Sequence, residues 1–485
     1  MSLGICWTSS EVVPFAKTGG LGDVSAALPR YLHGAGHDVR VFVPFYSTIN
    51  TSGHDLVPVE FLRDVEIEIG PHRPTFSVFT TTLPSSQAPV HLIHCPPLYD
   101  RPGIYGDGAD EALRFAFLSR AALVCCQHMG WAPDIFHCND WHTGLQPLYL
   151  KRAFEWDSLF RKSKTVLTIH NIAYQGVFPA AVCDDVGLGG DIELLHQGDL
   201  AAGAVSFLKT GILYADVLTT VSPSHAVEIQ TDAYGMGLQD LLRERSDHLV
   251  GILNGVDYGE WSPATDRFLE HRYSSTDLSG KRKTKTSVME QLGLGADPGA
   301  PLLGVVSRLT AQKGFDLVFE PLREVLGSGR ARLLALGSGE SRYETAFQEL
   351  QNAFPGRAVF HRGYSEELAH LIEAAADIFL MPSKFEPSGL NQMYSLKYGT
   401  VPVVRRTGGL ADAVDLYDPS SGRGTGFVFD HFTTDAFSWA LDFALETYAN
   451  ADVWEGLMRN GMSRDFSWER QGAKYVELYR ALTGR

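Results

Sequence analysis

The stretch LLGVVSRLTAQKGFDLV, Leu302–Val318, opens on an apolar run that reads as a strand buried on both faces. The strand ends near Ser307, Arg308 and Lys313 occupy a loop, and a helix begins near Phe315. Strand, loop and helix in this order make the βα unit of a parallel sheet, whose ligands bind outside the carboxyl ends of the strands. Two cations ahead of a helix N-terminus suit a diphosphate, although the spacing is not that of a P-loop. They would neutralise a departing nucleotide diphosphate, work that a metal ion does elsewhere. Two surface charges on a turn are the plain alternative.

The same pattern recurs on both sides of this stretch. GICWTSS, DVRVFVPF, PVHLIHC, PDIFHCND, TVLTIHN, DVLTTVS and LVGILNG precede it; ARLLALG, AVFHRGY, DIFLMPS and VPVVRR follow it. Near-continuous apolar strands alternating with helical stretches predict α/β architecture with parallel sheets. At 485 residues the chain exceeds what one core serves, so two domains are expected, with a ligand cleft between them. SSTDLSGKRKTKTSVMEQLGLGADPGAP, 274–301, reads as a connection, and its KRKTK as a solvated helix start more than a basic patch. DFSWERQGAKYVELYRALTG is an amphipathic helix without a strand of its own, which must pack on something already built.

Composition narrows the function. Hydrophobic residues are 44% and charged residues 20%, an ordinary globular balance. A formal net charge of -16 disfavours a nucleic-acid or anionic-membrane binder. No apolar run reaches membrane-spanning length, and the N-terminus lacks the pattern of a secretory signal. Cys6, Cys95, Cys125, Cys126, Cys138 and Cys183 include no CxxC and read as free thiols of a reducing compartment. A cytoplasmic protein is expected, or one of the plastid stroma in a photosynthetic eukaryote.

Four further stretches carry candidate chemistry. KTGGLGDV, Lys17–Val24, sets a cation beside paired glycines that let a backbone approach an anion such as a phosphate; a strand-to-helix turn with Lys17 merely solvated is the equal alternative. RTGGLADAV, 406–414, echoes it in the second half, as two similar domains would. FLMPSKFEPSGLNQMYSLKYGT places Glu386 at a strand's carboxyl end, before a helix opening at Ser388–Gly389 and stopping at Gly399. The backbone donors of Gly389, Leu390 and Asn391 beside that carboxylate suit sugar hydroxyls and a phosphate; complementing the helix dipole is the plain alternative. HCNDWHTG and IHNIAYQG bring Asp140, His142, His170 and Asn171 to strand ends. A metal on His137, Cys138, Asp140 and His142 is disfavoured, because strand alternation sends neighbours to opposite faces. LYDRPGIYGD offers Tyr99 and Tyr105 as aromatic faces for carbohydrate, although a structural loop is the stronger reading for each tyrosine singly.

Taken together, KTGGLGDV, CNDWHTG, TIHNIAYQG, ILNGVD, VVSRLTAQKG, KFEPSGLNQMYSLKYGT, RRTGGLADAV and DFSW resemble, in order and over nearly the whole chain, the bacterial glycogen synthases and plant starch synthases. These are GT-B glucosyltransferases of family 5. The resemblance implies two Rossmann-like domains, 1–256 on the acceptor side and 257–464 for the nucleotide sugar, with 465–485 returning to the first. It implies retaining transfer of glucose from ADP-glucose to an α-1,4-glucan (glycogen, starch or maltooligosaccharide), with no cofactor and no metal. It assigns Lys17, Gly19, Gly20, Asp23, Asn254, Tyr364 and Ser388–Asn391 to the donor, with Tyr364 near the adenine. Arg308 and Lys313 hold the diphosphate, and Glu386 orients the glucose. Asp140 and His170 would line the glucose and acceptor side, counted with Glu386, Lys313 and Arg308 as catalytic, and Tyr99, His142 and Asn171 would join Asp140 on the acceptor side.

Three departures from the family pattern stand out: CNDWH for the histidine-rich form, EPSGL for EPCGL, and Asn391 where some relatives have threonine. Tyr394 stands where the wider retaining GT-B pattern has a second glutamate, which fits the starch and glycogen branch. A UDP-sugar transferase of the same fold, or a weakly catalytic glucan-binding or priming protein, are the rival readings. Oligomeric state is not legible.

Overall fold

A computed structural model describes residues 2–295, 297 and 299–485. The chain divides into two compact units. Unit 1 comprises 1–221, 226–255 and 468–485; unit 2 comprises 222–225 and 256–467. Each has its own apolar core.

The strands of unit 1, in chain order, are β1 (Gly4–Thr8), β2 (Asp38–Pro44), β3 (Val57–Pro58), β4 (Val65–Glu66), β5 (Thr75–Thr82), β6 (Pro89–His94), β7 (Ile135–Asn139), β8 (Lys164–Ile169), β9 (Val177–Pro179), β10 (Ala204–Ser206), β11 (Val217–Thr220) and β12 (Leu249–Gly251). Its main sheet runs β12-β11-β8-β7-β1-β2-β6-β5-β3, and is parallel from β12 to β6. Every residue of β7 is buried, as a strand covered on both faces requires. β5 joins antiparallel, with β3 and β4 paired to it. This antiparallel edge is absent from the strands read out of the sequence. Its signal was the alternation in TFSVFTTT, which marks a strand wet on one face.

Unit 2 carries β13 (Leu302–Leu309), β14 (Arg332–Gly339), β15 (Ala358–Arg362), β16 (Ile378–Met381), β17 (Val401–Arg405) and β18 (Phe427–Phe429). They form one parallel sheet in the order β15-β14-β13-β16-β17-β18, the doubly wound Rossmann order. The order reverses at β13 and β16, whose carboxyl ends deliver Arg308–Lys313 and Ser383–Glu386. The deciding strand persists two residues past Ser307, and Phe315 opens a short 3₁₀ turn before the helix Phe319–Gly327. Gly314, at φ +72°, closes the β13 loop against that of β16; a Cβ there would lie 2.0 Å from the Pro382 carbonyl oxygen.

The charged stretch read as a connection lies inside unit 2, apart from Ala296 and Pro298, which fall outside the described residues. Its helix, Ser279–Gln291, is no solvated start, because two of its lysines are buried one turn apart. Lys281 donates to the Ala374 carbonyl at 2.9 Å and the Thr400 hydroxyl at 2.7 Å. Lys285 pairs with Asp377 at 2.6 Å.

The C-terminal helix, Trp468–Thr483, packs in the core of unit 1 through Trp468, Tyr475, Val476 and Tyr479. All six cysteines are free and buried. Among the described residues no helix is long and apolar enough to cross a membrane.

Candidate functional site

In unit 1 the sheet order turns at β1 and β7, and the loops leaving these strands gather the candidates. Asp140 follows β7 at φ +54°, ψ -170°, a backbone region that costs a non-glycine residue about 1–3 kcal/mol. Its Oδ1 accepts the backbone N–H of His170 at 2.7 Å and of Asn171 at 3.3 Å. Burial nevertheless pushes its carboxyl up to about 7, with Glu11 adding to the rise. His170 is held to Asn139 Oδ1 at 2.9 Å, and burial pushes it down to about 3, so it is neutral at pH 7. His142 is buried too, stacked on Tyr105 at 4.7 Å, and burial holds it well below its ordinary value. The unit therefore presents neutral imidazoles beside a carboxyl poised near neutrality.

Lys17 is exposed and its Nζ lies 2.7 Å from Asp23 Oδ1, so the cation and the first turn of the helix Gly20–Gly34 are tied together. A Cβ built on Gly19 or Gly20 meets nothing within 4 Å, and the surface over both glycines is open. The echo at 406–414 is different. It follows β17, not the first strand of its sheet, and a Cβ on Gly408 or Gly409 would strike the carbonyl oxygens of Glu386 or Ser388 at 2.1 and 2.0 Å. Its glycines admit protein backbone.

Sequence reasoning missed Glu11. This buried carboxylate accepts the Thr18 N–H at 2.6 Å, the Thr18 hydroxyl at 2.7 Å and the Gly19 N–H at 3.1 Å, and the Tyr105 hydroxyl as well. It therefore fixes the lysine–glycine loop to the loop of Tyr105. The signal was an acid in SSEVVPFA, at a strand's carboxyl end amid apolar residues. Tyr99 departs from its expected place on the acceptor side. It is fully buried, gives its hydroxyl to the Arg114 carbonyl at 2.9 Å and has no ring face left for a sugar. Asn254 is buried in unit 1, and its Oδ1 has no hydrogen-bond partner among the described residues.

His137 spends both ring nitrogens on hydroxyls, Tyr479 at 2.6 Å and Thr168 at 2.7 Å, and Cys138 Sγ lies 3.4 Å from Gln146. These partners leave neither ring nitrogen of His137 for a metal.

In unit 2, Lys313 Nζ lies 2.6 Å from Glu386 Oε2, which also accepts the Ser383 hydroxyl at 2.9 Å. Glu386 and Ser383 are buried, whereas Arg308 beside them is exposed and its guanidinium makes no hydrogen bond or ion pair among the described residues. Ser383 was the second omission; it precedes Glu386 by three residues in the quoted loop. The helix starts at Asn391, later than expected, and stops before Gly399 at φ +66°. Its first N–H groups have no intrahelical acceptors. The Asn391 amide is turned inward, donating to the Val306 carbonyl at 3.3 Å, so only its backbone faces the loop as a donor. Gly389 is left-handed at φ +67°, between half-buried Leu390 and buried Ser388. Tyr364 is 73% exposed beyond the end of β15, two strands from β13.

One unit thus holds an anion-ready pair of cations around a buried carboxylate; the other holds an open glycine loop, a strained acid and neutral histidines. Residues 4–244 match the family model described as "Starch synthase catalytic domain", and residues 292–455 that of "Glycosyl transferases group 1". The chain is 46% identical to a glycogen synthase of Anaeromyxobacter and 44% identical to one of Thioalkalivibrio sulfidiphilus, over 99% of both chains in each case. Its fold matches the catalytic domain of starch synthase IV from Arabidopsis thaliana, bound to ADP and acarbose, with a TM-score of 0.91 and 33% identity over the whole of both chains. A sucrose-phosphate synthase from Thermosynechococcus elongatus shares the fold at a TM-score of 0.61 and 19% identity, covering 99% of each chain.

Proposed function

The chain belongs to the glycogen and starch synthase family, and on that premise we propose that it transfers glucose from ADP-glucose to the non-reducing 4-hydroxyl of an α-1,4-glucan, with retention, releasing ADP. The observation that carries this reading is the Lys313–Glu386–Ser383 cluster at the switch point of the unit 2 sheet, with Arg308 exposed beside it. Arg308 and Lys313 take the diphosphate. Lys313 then exchanges its carboxylate partner for a phosphate, and Glu386, held by Ser383, turns to the glucose. Positive charge growing at the anomeric carbon faces that carboxylate, and negative charge growing on the leaving oxygen faces the two cations. The acceptor hydroxyl attacks on the face that the diphosphate leaves, and a leaving-group oxygen takes its proton. On this reading no side chain acts as a nucleophile from the opposite face, and the protein's share is positioning and charge stabilisation.

Ser388–Asn391 offer backbone donors to the sugar and phosphate, and the exposed ring of Tyr364 is the platform for the adenine. In unit 1, Lys17, Gly19 and Gly20 serve the donor, with Asp23 and Glu11 fixing their loop and Asn254 supplying its unspent oxygen. His170 and Asp140 serve the glucose; His142 and Asn171 serve the acceptor glucan. Two cations at the diphosphate make the transfer independent of metal. Free thiols throughout suit a cytoplasmic location.

The test is glucosyl transfer to glycogen from ADP-glucose and from UDP-glucose, each with and without excess chelator. ADP-glucose is expected to be used at the higher kcat/KM, unchanged by chelator. Preference for UDP-glucose contradicts the donor assignment, and loss of activity restored by magnesium contradicts metal independence.

A further inference from the structure

In unit 2, outside the groups assigned to transfer, Glu260, Glu366 and His370 each bring one ligand-type atom within 4.8 Å of the others. His370 lies on the helix Glu366–Ala375 and is 1% exposed. Its Nδ1 is 2.8 Å from Asp266 Oδ2, which the Tyr398 hydroxyl also reaches at 2.6 Å, while the Phe268 N–H gives to Oδ1 at 2.9 Å. Asp266 accepts from the Tyr398 hydroxyl and the Phe268 N–H as well, so on this side it serves as an acceptor and the ring proton sits on Nδ1. The lone pair is then on Nε2, which is buried and has no hydrogen-bond partner. Trp261 lies flat on the imidazole at 3.7 Å and 14°, and Tyr394 flat on Trp261 at 3.9 Å and 1°, so the ring is fixed in this orientation.

A buried, unpartnered imidazole nitrogen, oriented by a carboxylate on its far side, is the arrangement that metal-binding histidines show. Two carboxylates, each with an oxygen within 4.8 Å of a nitrogen of this imidazole, supply the charge that a dication requires. We propose that Glu260, Glu366 and His370 form a divalent-cation site, selective for a borderline ion such as Zn2+ over Mg2+ or Ca2+. Magnesium and calcium seek oxygen-only shells, whereas zinc accepts imidazole with carboxylate, and water completes its fourth position. The ligand atoms must close to about 3.3 Å from one another around a tetrahedral ion. Glu260 is exposed and Glu366 half-buried, so both have room to move. Arg267 holds Glu366 through Oε1 at 2.8 Å, which leaves the other oxygen for the ion. The bound ion bolts the segment around Trp261 to the helix of His370, as a clamp outside the transfer chemistry.

The experiment uses the whole protein, stripped with chelator and then titrated with ZnCl2 by calorimetry. A Glu260→Gln/Glu366→Gln double variant is compared with it, because replacing His370 would strand the buried Asp266. Saturable binding of about one Zn2+ per chain is expected, weakened at least ~10-fold in the variant. Visible absorption of Co2+ bound in place of zinc should vanish in the variant, while glucosyl transfer stays the same. Absence of saturable Zn2+ binding overturns the proposal, as does equal binding by the variant, which would point to the six thiols. Preference for Mg2+ or Ca2+ overturns it too, since the imidazole would then be no ligand.

Discussion

Glu386 gives one oxygen to two donors, Lys313 and Ser383, in a pocket where it is 5% exposed. Glu386→Gln keeps the size and the Ser383 hydrogen bond but leaves Lys313 without its counter-charge, which costs about 1–3 kcal/mol of stability. The larger loss belongs to the transition state. kcat is expected to fall at least ~100-fold, on the order of 2.7 kcal/mol, while ADP affinity measured by calorimetry is retained through Arg308 and Lys313. Near-normal kcat with a lowered melting temperature would leave Glu386 a structural role only. Asp140 gives a second test, through pH. Its carboxyl is raised from 3.8 to about 7, chiefly by burial, so the folded state holds a proton that the unfolded chain has released. Stability from this group is complete below about pH 4 and is lost as pH rises toward 7. Asp140→Asn removes that loss. The variant should match the wild type near pH 4 in denaturant unfolding and exceed it by a few kcal/mol, in order of magnitude, at pH 8, with transfer strongly impaired. An unchanged difference across that range would contradict the raised carboxyl. Lys17, Asp140, Lys313 and Glu386 were legible because each follows an apolar strand, and Arg308 because it breaks the apolar run at the carboxyl end of one, inside β13 and not in the loop expected for it. Glu11 and Ser383 were not, because their role is to hold another residue, and that depends on distances the sequence does not display.

At the scale of elements, the parallel strands were legible from their apolar runs, because burial on both faces leaves few polar positions. The antiparallel edge was not, since β5 is wet on one face and lacks the continuous apolar run by which the other strands were read. The helix Ser279–Gln291 shows where charge misleads: KRKTK looks solvated, yet Lys281 and Lys285 are one turn apart on a face turned inward. Burial pushes Lys281 down to about 7, against Asp377 and Glu373, and it is satisfied by a carbonyl and a hydroxyl. Asp377, besides Lys285, accepts the Leu302 N–H at 2.8 Å, at the root of β13. Lys285→Met should therefore cost about 3–5 kcal/mol by stranding a buried carboxylate, whereas exposed Lys283→Ala should stay within about 0.5 kcal/mol. Urea unfolding of both variants checks the contrast; similar midpoints would mean that the buried pair does not anchor the sheet.

Among the described residues the whole molecule has two cores, each around a large sheet, mixed in unit 1 and wholly parallel in unit 2, with a switch point where candidate residues leave the parallel strands. Its division follows packing more than sequence order. The C-terminal helix belongs to unit 1 because Tyr475 and Tyr479 are buried there, the latter on His137. The short segment 222–225 belongs to unit 2 because Ser224 meets Asp412 through its N–H at 3.0 Å and its hydroxyl at 2.7 Å. The apolar face of the C-terminal helix announces that it docks, whereas nothing in the hydrophobic pattern announces the exchange of 222–225, which rests on polar contacts. The rival of a glucan-binding or priming protein makes no use of Arg308, Lys313 and Glu386 together, and one measurement separates it from a synthase. The protein is incubated with ADP-glucose labelled in the glucose and a maltooligosaccharide of defined length, following ADP release, label and chain length together. The account predicts one ADP for each glucose added, with the label in products that grow by one α-1,4-linked residue at the non-reducing end. Glucan bound without growth, or ADP and free glucose released with the oligosaccharide unchanged, would contradict it.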